Sequence, residues 1–342
     1  MTLGNDLVLY VKVQDGCQLS CKHCYASSLN INHSTIIDPI KTVNWINQLS
    51  NYNIEASLHG GEPLIVPINI LKKIVVETKK VNPNIYWSAT TNLVYQLTDE
   101  LIEFIKTYFI QSDGSCLLLT SYDYGDIRFK TDIQRQLWAE NIVKLVSEGI
   151  NINCISTTTD TLLKVDPKEH IDYMLSLGIT SINYERLCHT GRAKDNDLIV
   201  DYDKIDDFYL ESIKYIDSNN LPIKIRNIEE LKKTIKWKFK TGCRERQCNN
   251  KVITINANGT ISSCPNSANT KLFSTYNDNL SSYINNEYRL KELHNEKFKV
   301  NNKCLTCNYY DICGGECCQL DWTDRCPGLK KTIQYLLDKY GE

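Results

Sequence analysis

The 342 residues carry 39 Lys and Arg against 41 Asp and Glu, a net charge of −2 that gives no reason to expect nucleic acid as a partner. No run approaches 18 consecutive apolar residues, and no basic segment with a following apolar stretch opens the chain, so neither a membrane span nor a signal peptide is expected. Composition is otherwise ordinary except for 15 cysteines, clustered and odd in number, which fit metal or redox chemistry in a reducing cytoplasmic compartment better than a disulfide framework.

Residues 1–200 alternate strand-like and helix-like segments. Leu7–Val13 is a β-rich run, and Asp38-Pro39 caps a helix that reaches about Leu49. Ile54–Leu58 reads as the second strand, 68–79 as a helix with an apolar stripe, and Ile85–Thr90 as the third strand. Thr98 opens the next helix. Cys116–Thr120 is the fourth strand, 134–147 a helix, and Ile150–Ser156 the fifth strand. Asp166-Pro167 starts a helix that stops before Gly178, and Ile179–Tyr184 is the sixth strand.

Strands alternating with helices argue for an α/β fold of parallel βαβ units, with ligands at the carboxyl ends of the strands. That rule gathers the loops 17–24, 59–63, 91–92, 121–123, 157–159 and 185–192 around one mouth. Residues 201–240 read as a helical connection. From 241 onward the pieces are short, with an Asn258-Gly259 hairpin turn, nine of the 15 cysteines, and a closing amphipathic helix over 329–340. Between 221 and 246, nine Lys and Arg face three acids, which suits either a solvated helix face or a counter-charge for thiolate clusters or an acidic peptide.

Cys17, Cys21 and Cys24 form a C-x3-C-x2-C triplet just after the first strand. Three thiolates leave one position of a four-ligand site open. A structural zinc site completed by His23 or a distant cysteine is one reading of that spacing. With His59-Gly60-Gly61-Glu62-Pro63 after the second strand, the pattern resembles instead the radical S-adenosylmethionine (SAM) superfamily and its GGEP motif.

The resemblance implies a partial (β/α)6 TIM-like barrel in which Cys17, Cys21 and Cys24 hold a [4Fe-4S] cluster. SAM chelates its open iron through the α-amino and carboxylate groups. Gly60 and Gly61 then allow close backbone approach, and Glu62 accepts from the ammonium. His23 occupies the position that lies against the adenine. Asn92, Ser121 (in Ser121-Tyr122-Asp123, resembling S-x-D-G with the glycine displaced), Arg128 and Leu187 complete the implied SAM contacts. Gly191-Arg192-Ala193 resembles the G-R-A found after the sixth strand, or is a plain turn.

The later cysteines resemble a SPASM domain, the auxiliary-cluster extension of peptide- and protein-modifying members. By that resemblance Cys243, Cys248, Cys264 and Cys317 hold one auxiliary [4Fe-4S] cluster, and Cys304, Cys307, Cys313 and Cys326 a second. The expected organisation is a barrel over 1–200, a helical linker over 201–240 and a SPASM domain over 241–342. Of the other thiols, Cys116 and Cys154 read as core residues and Cys318 as a bystander. Cys188 is a weak catalytic candidate, more simply a packing residue.

The implied activity is reductive cleavage of SAM to a 5′-deoxyadenosyl radical that abstracts hydrogen from a peptide or small protein, giving a crosslink, thioether, backbone excision or epimerisation. A small-molecule dehydrogenase or carbon–carbon bond former is the alternative within the superfamily, and a non-catalytic zinc-stabilised binding protein is the alternative outside it. Partners would be a precursor peptide and an external electron donor of the flavodoxin or ferredoxin kind. Pro265 stands after Cys264 where sulfatase-maturing relatives carry an Asp base, which argues against that activity. Six residues precede the first strand, so a winged-helix leader-binding domain is expected to be absent. A separate leader-binding protein, or a substrate that needs none, would take its place.

Overall fold

In the computed structural model, residues 3–26, 29–196, 198, 200–298, 300–320 and 326–341 are described. A ten-stranded sheet organises them. Its parallel part is β1 (Asp6–Gln14), β2 (Asn53–Gly60), β3 (Ile85–Thr91), β4 (Leu117–Ser121), β5 (Asn151–Thr158), β6 (Ser181–Arg186) and β7 (Lys224–Ile225), in that spatial order. Long helices separate β2 through β7, and one precedes β2. They are α1 (Pro39–Ile46), α2 (Ile68–Val81), α3 (Asp99–Tyr108), α4 (Asp132–Ser147), α5 (Pro167–Ser176) and α6 (Tyr202–Asn219). This is the parallel α/β arrangement that the alternation of segments predicts, in the partial barrel that the resemblance implies.

Local chemistry explains the starts and stops. Asp38 accepts from the Ile40 and Lys41 amides ahead of Pro39, Thr98 from Leu101, and Asp166 from Lys168 ahead of Pro167. Gly178, at φ +79°, turns the chain after α5. The strands bury Leu7, Leu9, Val11, Ile54, Ala56, Leu58, Ile85, Trp87 and Ala89 against Trp45, Leu71, Ile74, Phe104 and Ile105 of the helices. At about 25 cal/mol per Å² of apolar surface, this buried layer is the main source of stability.

Beyond residue 200 the sheet continues in two ways that periodicity does not reveal. β7 is only two residues long, placed between α6 and α7 (Arg226–Trp237), and it adds to the edge at β6. At the other edge, β8 (Val252–Ile255) pairs in parallel with β1, Val8 opposite Val252 and Val11 opposite Ile255. The Asn258-Gly259 turn then returns antiparallel β9 (Thr260–Ser262), and β10 (Ser274–Thr275) follows. The cysteine-rich region therefore shares the barrel's sheet. The closing helix α8 (Lys330–Tyr340) packs on α6 and α7, with Asp206 accepting from the Lys331 and Thr332 amides. No helix among the described residues is long and apolar enough to cross a membrane.

Candidate active site

The Cys17–Cys24 loop leaves the carboxyl end of β1, and the residues just before it are seated on the loop after β2 by backbone bonds and by the Gln14 side chain, which donates to Glu62 O. Gly61 N donates to Gln14 O at 2.8 Å and Glu62 N to Gly16 O at 2.9 Å. A Cβ on Gly61 would lie 1.9 Å from Gly16 O, and one on Gly60, whose φ is +131°, 2.1 Å from Gln14 O. Both glycines are thus required by contact with the backbone that leads into the cysteine loop. Gly61→Ala is expected to cost about 1–3 kcal/mol through overpacking of backbone on backbone. A urea midpoint equal to that of the unsubstituted protein would show that the loops separate freely.

Glu62 is fully buried. Its carboxylate accepts from Leu64 N at 3.2 Å, Thr91 Oγ1 at 2.6 Å and Asn92 N at 2.6 Å, tying the ends of β2 and β3 together. Burial raises its carboxyl to about 7, against the pull of those three bonds. Asn92 in turn donates to Cys17 Sγ at 3.5 Å and accepts from Gln18 Nε2 at 3.0 Å. The thiols of Cys21 and Cys24 both bear electrostatically on Cys17, and burial is the main reason its thiol is pushed up to about 12.

The far side of the loop is held from β4 and β6. Asp123, 1% exposed, accepts from Arg128 Nε at 2.7 Å and from Thr157 N at 2.8 Å, with His23 Nε2 3.5 Å away. Burial pulls the His23 imidazole down to about 4, so it is neutral at pH 7. Arg128 Nη2 lies 3.3 Å from Nε2, which therefore accepts and leaves the proton on Nδ1. That buried Nδ1 has no hydrogen-bond partner among the described residues. Gly191, at φ +53°, would bring a Cβ to 2.6 Å from Cys24 O, and Arg192 N donates to that same oxygen at 3.0 Å. Gly191-Arg192-Ala193 is thus a clamp on the loop that bears Cys24. Ser121 and Leu187 are buried at the carboxyl ends of β4 and β6.

The C-terminal thiols form two groups. Cys304, Cys307, Cys313 and Cys326 line one cavity together with Lys303, Tyr310 and Lys330. Gly328 sits between two of them, a Cβ there being 3.1 Å from Cys313 Sγ and 3.2 Å from Cys326 Sγ. In the other group Cys243 and Cys248 are 3.9 Å apart through sulfur, Cys317 interacts with Cys243, and Cys264 feels Cys243 electrostatically. Among the described residues no three His, Cys, Asp or Glu side chains converge closely enough to hold a single metal ion. Thiols spread around a cavity fit a group with volume of its own, such as an iron–sulfur cluster. Cys154 is buried in β5, Cys116 lies just before β4, and Cys318 is exposed and interacts with Cys317. Cys188 adjoins the same group, interacting with Cys317 and accepting from Asn266 Nδ2 at 3.5 Å.

Two residues escape the motif reading. Asp123 organises Arg128 and His23, although the Ser121-Tyr122-Asp123 pattern points only to Ser121. Lys12 is 5% exposed inside β1. The signal for it is a lone charge in the apolar run Leu7–Val13.

Residues 3–117 match the family described as a 4Fe-4S single cluster domain. An uncharacterized protein of Methanocaldococcus jannaschii is 26% identical over 187 residues, which span 52% of this chain and 62% of that relative. Among solved structures, anSMEcpe with bound AdoMet and the Cp18Cys peptide superposes with a TM-score of 0.77 at 16% identity, covering 97% of this chain and 96% of that one. SuiB of Streptococcus suis bound to its precursor peptide SuiA gives 0.69 at 14% identity, covering 93% and 73%. SuiB bound to S-adenosylmethionine gives 0.67 at 16% identity, covering 93% and 74%. The chain therefore has the same fold as anSMEcpe and SuiB over nearly its whole length.

Proposed function

We propose that this protein is a radical SAM enzyme with a SPASM region over 241–342, and that it modifies a peptide or small protein. The observation that carries the reading is that the backbone leading into the Cys17–Cys24 loop, at Gln14 and Gly16, is hydrogen-bonded to Gly61 and Glu62 at the carboxyl edge of the sheet. Peptides bound to the structurally similar anSMEcpe and SuiB support the substrate class.

Cys17, Cys21 and Cys24 would hold a [4Fe-4S] cluster, and Cys243, Cys248, Cys264 and Cys317, with Cys304, Cys307, Cys313 and Cys326, two more. SAM and the first cluster supply, when bound, a 5′-deoxyadenosyl radical for hydrogen abstraction. The chain's own residues supply the setting. Glu62 and Asn92 fix the loop that bears Cys17, and the Gly191 turn fixes the one that bears Cys24. His23, Ser121, Arg128 and Leu187 form the wall against which SAM would lie, with His23 Nδ1–H free to donate to it. Fully thiolate-ligated auxiliary clusters suit electron transfer, and an external low-potential donor would begin each turnover.

Reconstituted protein given dithionite and SAM should release 5′-deoxyadenosine and contain about twelve irons per chain. Cys24→Ala should lower 5′-deoxyadenosine to background. Equal product from that variant, or zinc in place of iron, would overturn the proposal. Mass spectrometry of co-expressed peptides then reads out the modification.

A further inference from the structure

Lys12, without a carboxylate partner, and Asn256, with an unpartnered side-chain oxygen among the described residues, line one cavity. The cavity is also walled by Gly60, Gly61, Asn258 and Asn269, so it lies where the β8–β9 hairpin meets the loop after β2. The Lys12 side chain is almost fully buried. Its ammonium makes one long bond to Pro265 O, at 3.4 Å, and lies 5.6 Å from the centre of the Tyr25 ring. No carboxylate of the described residues pairs with it. Asp15, on the same wall, accepts instead from Thr35 N at 2.7 Å. A buried ammonium without a carboxylate partner is costly unless nearby thiolates or a bound anion offset it.

Asn256 supplies the complementary group. Its Nδ2 donates to Thr260 Oγ1 at 3.0 Å and to Ala268 O at 2.7 Å. The carbonyl of Ala268 can only accept, which fixes the amide's orientation. Oδ1 is then a buried acceptor without a partner among the described residues. One cavity thus offers a cationic donor and a neutral acceptor, the pattern that matches a carboxylate and an N–H on one molecule.

We propose that Lys12 and Asn256 bind a carboxylate-bearing residue of the peptide substrate, the ammonium pairing with the carboxylate and Asn256 Oδ1 accepting the residue's backbone N–H. The proposal rests on the reading of the protein as a peptide-modifying enzyme. Lys12 bears electrostatically on both Cys24 and Cys264, which belong to two different thiol groups. A peptide anchored there is held between the first thiol triplet and the auxiliary set. SAM also carries a carboxylate and N–H donors. The cavity is lined by the C-terminal hairpin as well as by Gly60 and Gly61, two of the expected SAM contacts, but it lacks His23, Glu62, Asn92, Ser121, Arg128 and Leu187, the others.

Binding of small probes to the reconstituted, SAM-saturated enzyme tests this without turnover, by ligand-observed NMR at pH 7. The probes are N-acetyl-glutamate N-methylamide for a side-chain carboxylate and N-acetyl-alanine for a terminal one. N-acetyl-glutamine N-methylamide is the neutral control. At least one carboxylate probe should bind tenfold or more tighter than the control, and Lys12→Met should erase that difference. The tighter of the two identifies the carboxylate's source. Equal affinity for acid and amide in the wild-type enzyme overturns the proposal, and needs no variant to fold. So does Lys12→Met with unchanged selectivity, the result expected if Lys12 only offsets cluster charge. Competition between SAM and the probes would reassign the site to SAM's own carboxylate and likewise overturn it. Release of 5′-deoxyadenosine, measured on the same sample, separates these failures from failure of the enzyme reading.

Discussion

Glu316→Ala is expected to destabilise the protein by about 3–5 kcal/mol, because it strands a buried arginine. Arg186 ends β6 of the barrel, and Glu316 lies between Cys313 and Cys317. Their Nη1–Oε2 distance is 2.6 Å, with side chains 9% and 7% exposed. The pair ties the cysteine-rich turn to the sheet. Two nearby contacts depend on the same placement. Gly314 packs so closely that a Cβ would lie 2.2 Å from Arg244 O, and Cys313 Sγ reaches Glu316 Oε1 at 3.9 Å. Losing Glu316 should therefore disturb the cavity lined by Cys304, Cys307, Cys313 and Cys326. Under the proposed function about four of roughly twelve irons go with it. Urea unfolding and iron analysis of the same preparation check both parts. The double variant Arg186→Met with Glu316→Leu should recover most of the lost stability, since two apolar groups replace a pair instead of orphaning a charge. A single variant with the wild-type midpoint and full iron would show that the ion pair does not hold the turn.

The alternating strands and helices were legible because their signals are local. Alternating apolar runs, Asp and Thr caps and prolines at first turns mark β1 to β6 and α1 to α5 to within a few residues. The C-terminal pairings were not, because they depend on partners far away in sequence. Nothing in Val252–Ile255 says that it lies parallel to Val8–Val11, and two-residue Lys224–Ile225 is too short for any period to register. The cysteine motifs gave the ligand candidates, since spacing is itself the signal. They were silent on what aims those ligands. The glycines expected to face a bound molecule also pack against Gln14 and Gly16, and Glu62 also accepts from three donors of the chain. The lack of a carboxylate beside Lys12 and the unpartnered Asn256 Oδ1 among the described residues emerge only from a three-dimensional inventory.

Asp123→Ala should be comparably costly, about 3–5 kcal/mol, for a related reason at the opposite end of the site. The substitution removes the carboxylate that accepts from Arg128 Nε and from Thr157 N, both at short distance, and that lies beside His23. Burial alone would raise the Asp123 carboxyl. His23, Arg128 and the Thr157 amide outweigh burial and hold it below the usual aspartate range. A carboxylate with a lowered folded pKa stabilises fully above its unfolded value of about 3.9, and the contribution is lost only as pH falls through the lower folded value. The penalty should therefore be constant between pH 6 and 8, where clusters can be kept intact. Asp123→Asn should cost less than Asp123→Ala, since an amide oxygen still accepts from Thr157 N while Arg128 loses its counter-charge. Because Arg128 holds His23 and His23 sits between Cys21 and Cys24, both variants should also weaken SAM binding, which equilibrium dialysis measures on the reconstituted protein. An Ala variant with undiminished stability would mean that Arg128 finds another anion. A penalty that grows or shrinks between pH 6 and 8 would mean that Asp123 is not held ionised as this geometry requires.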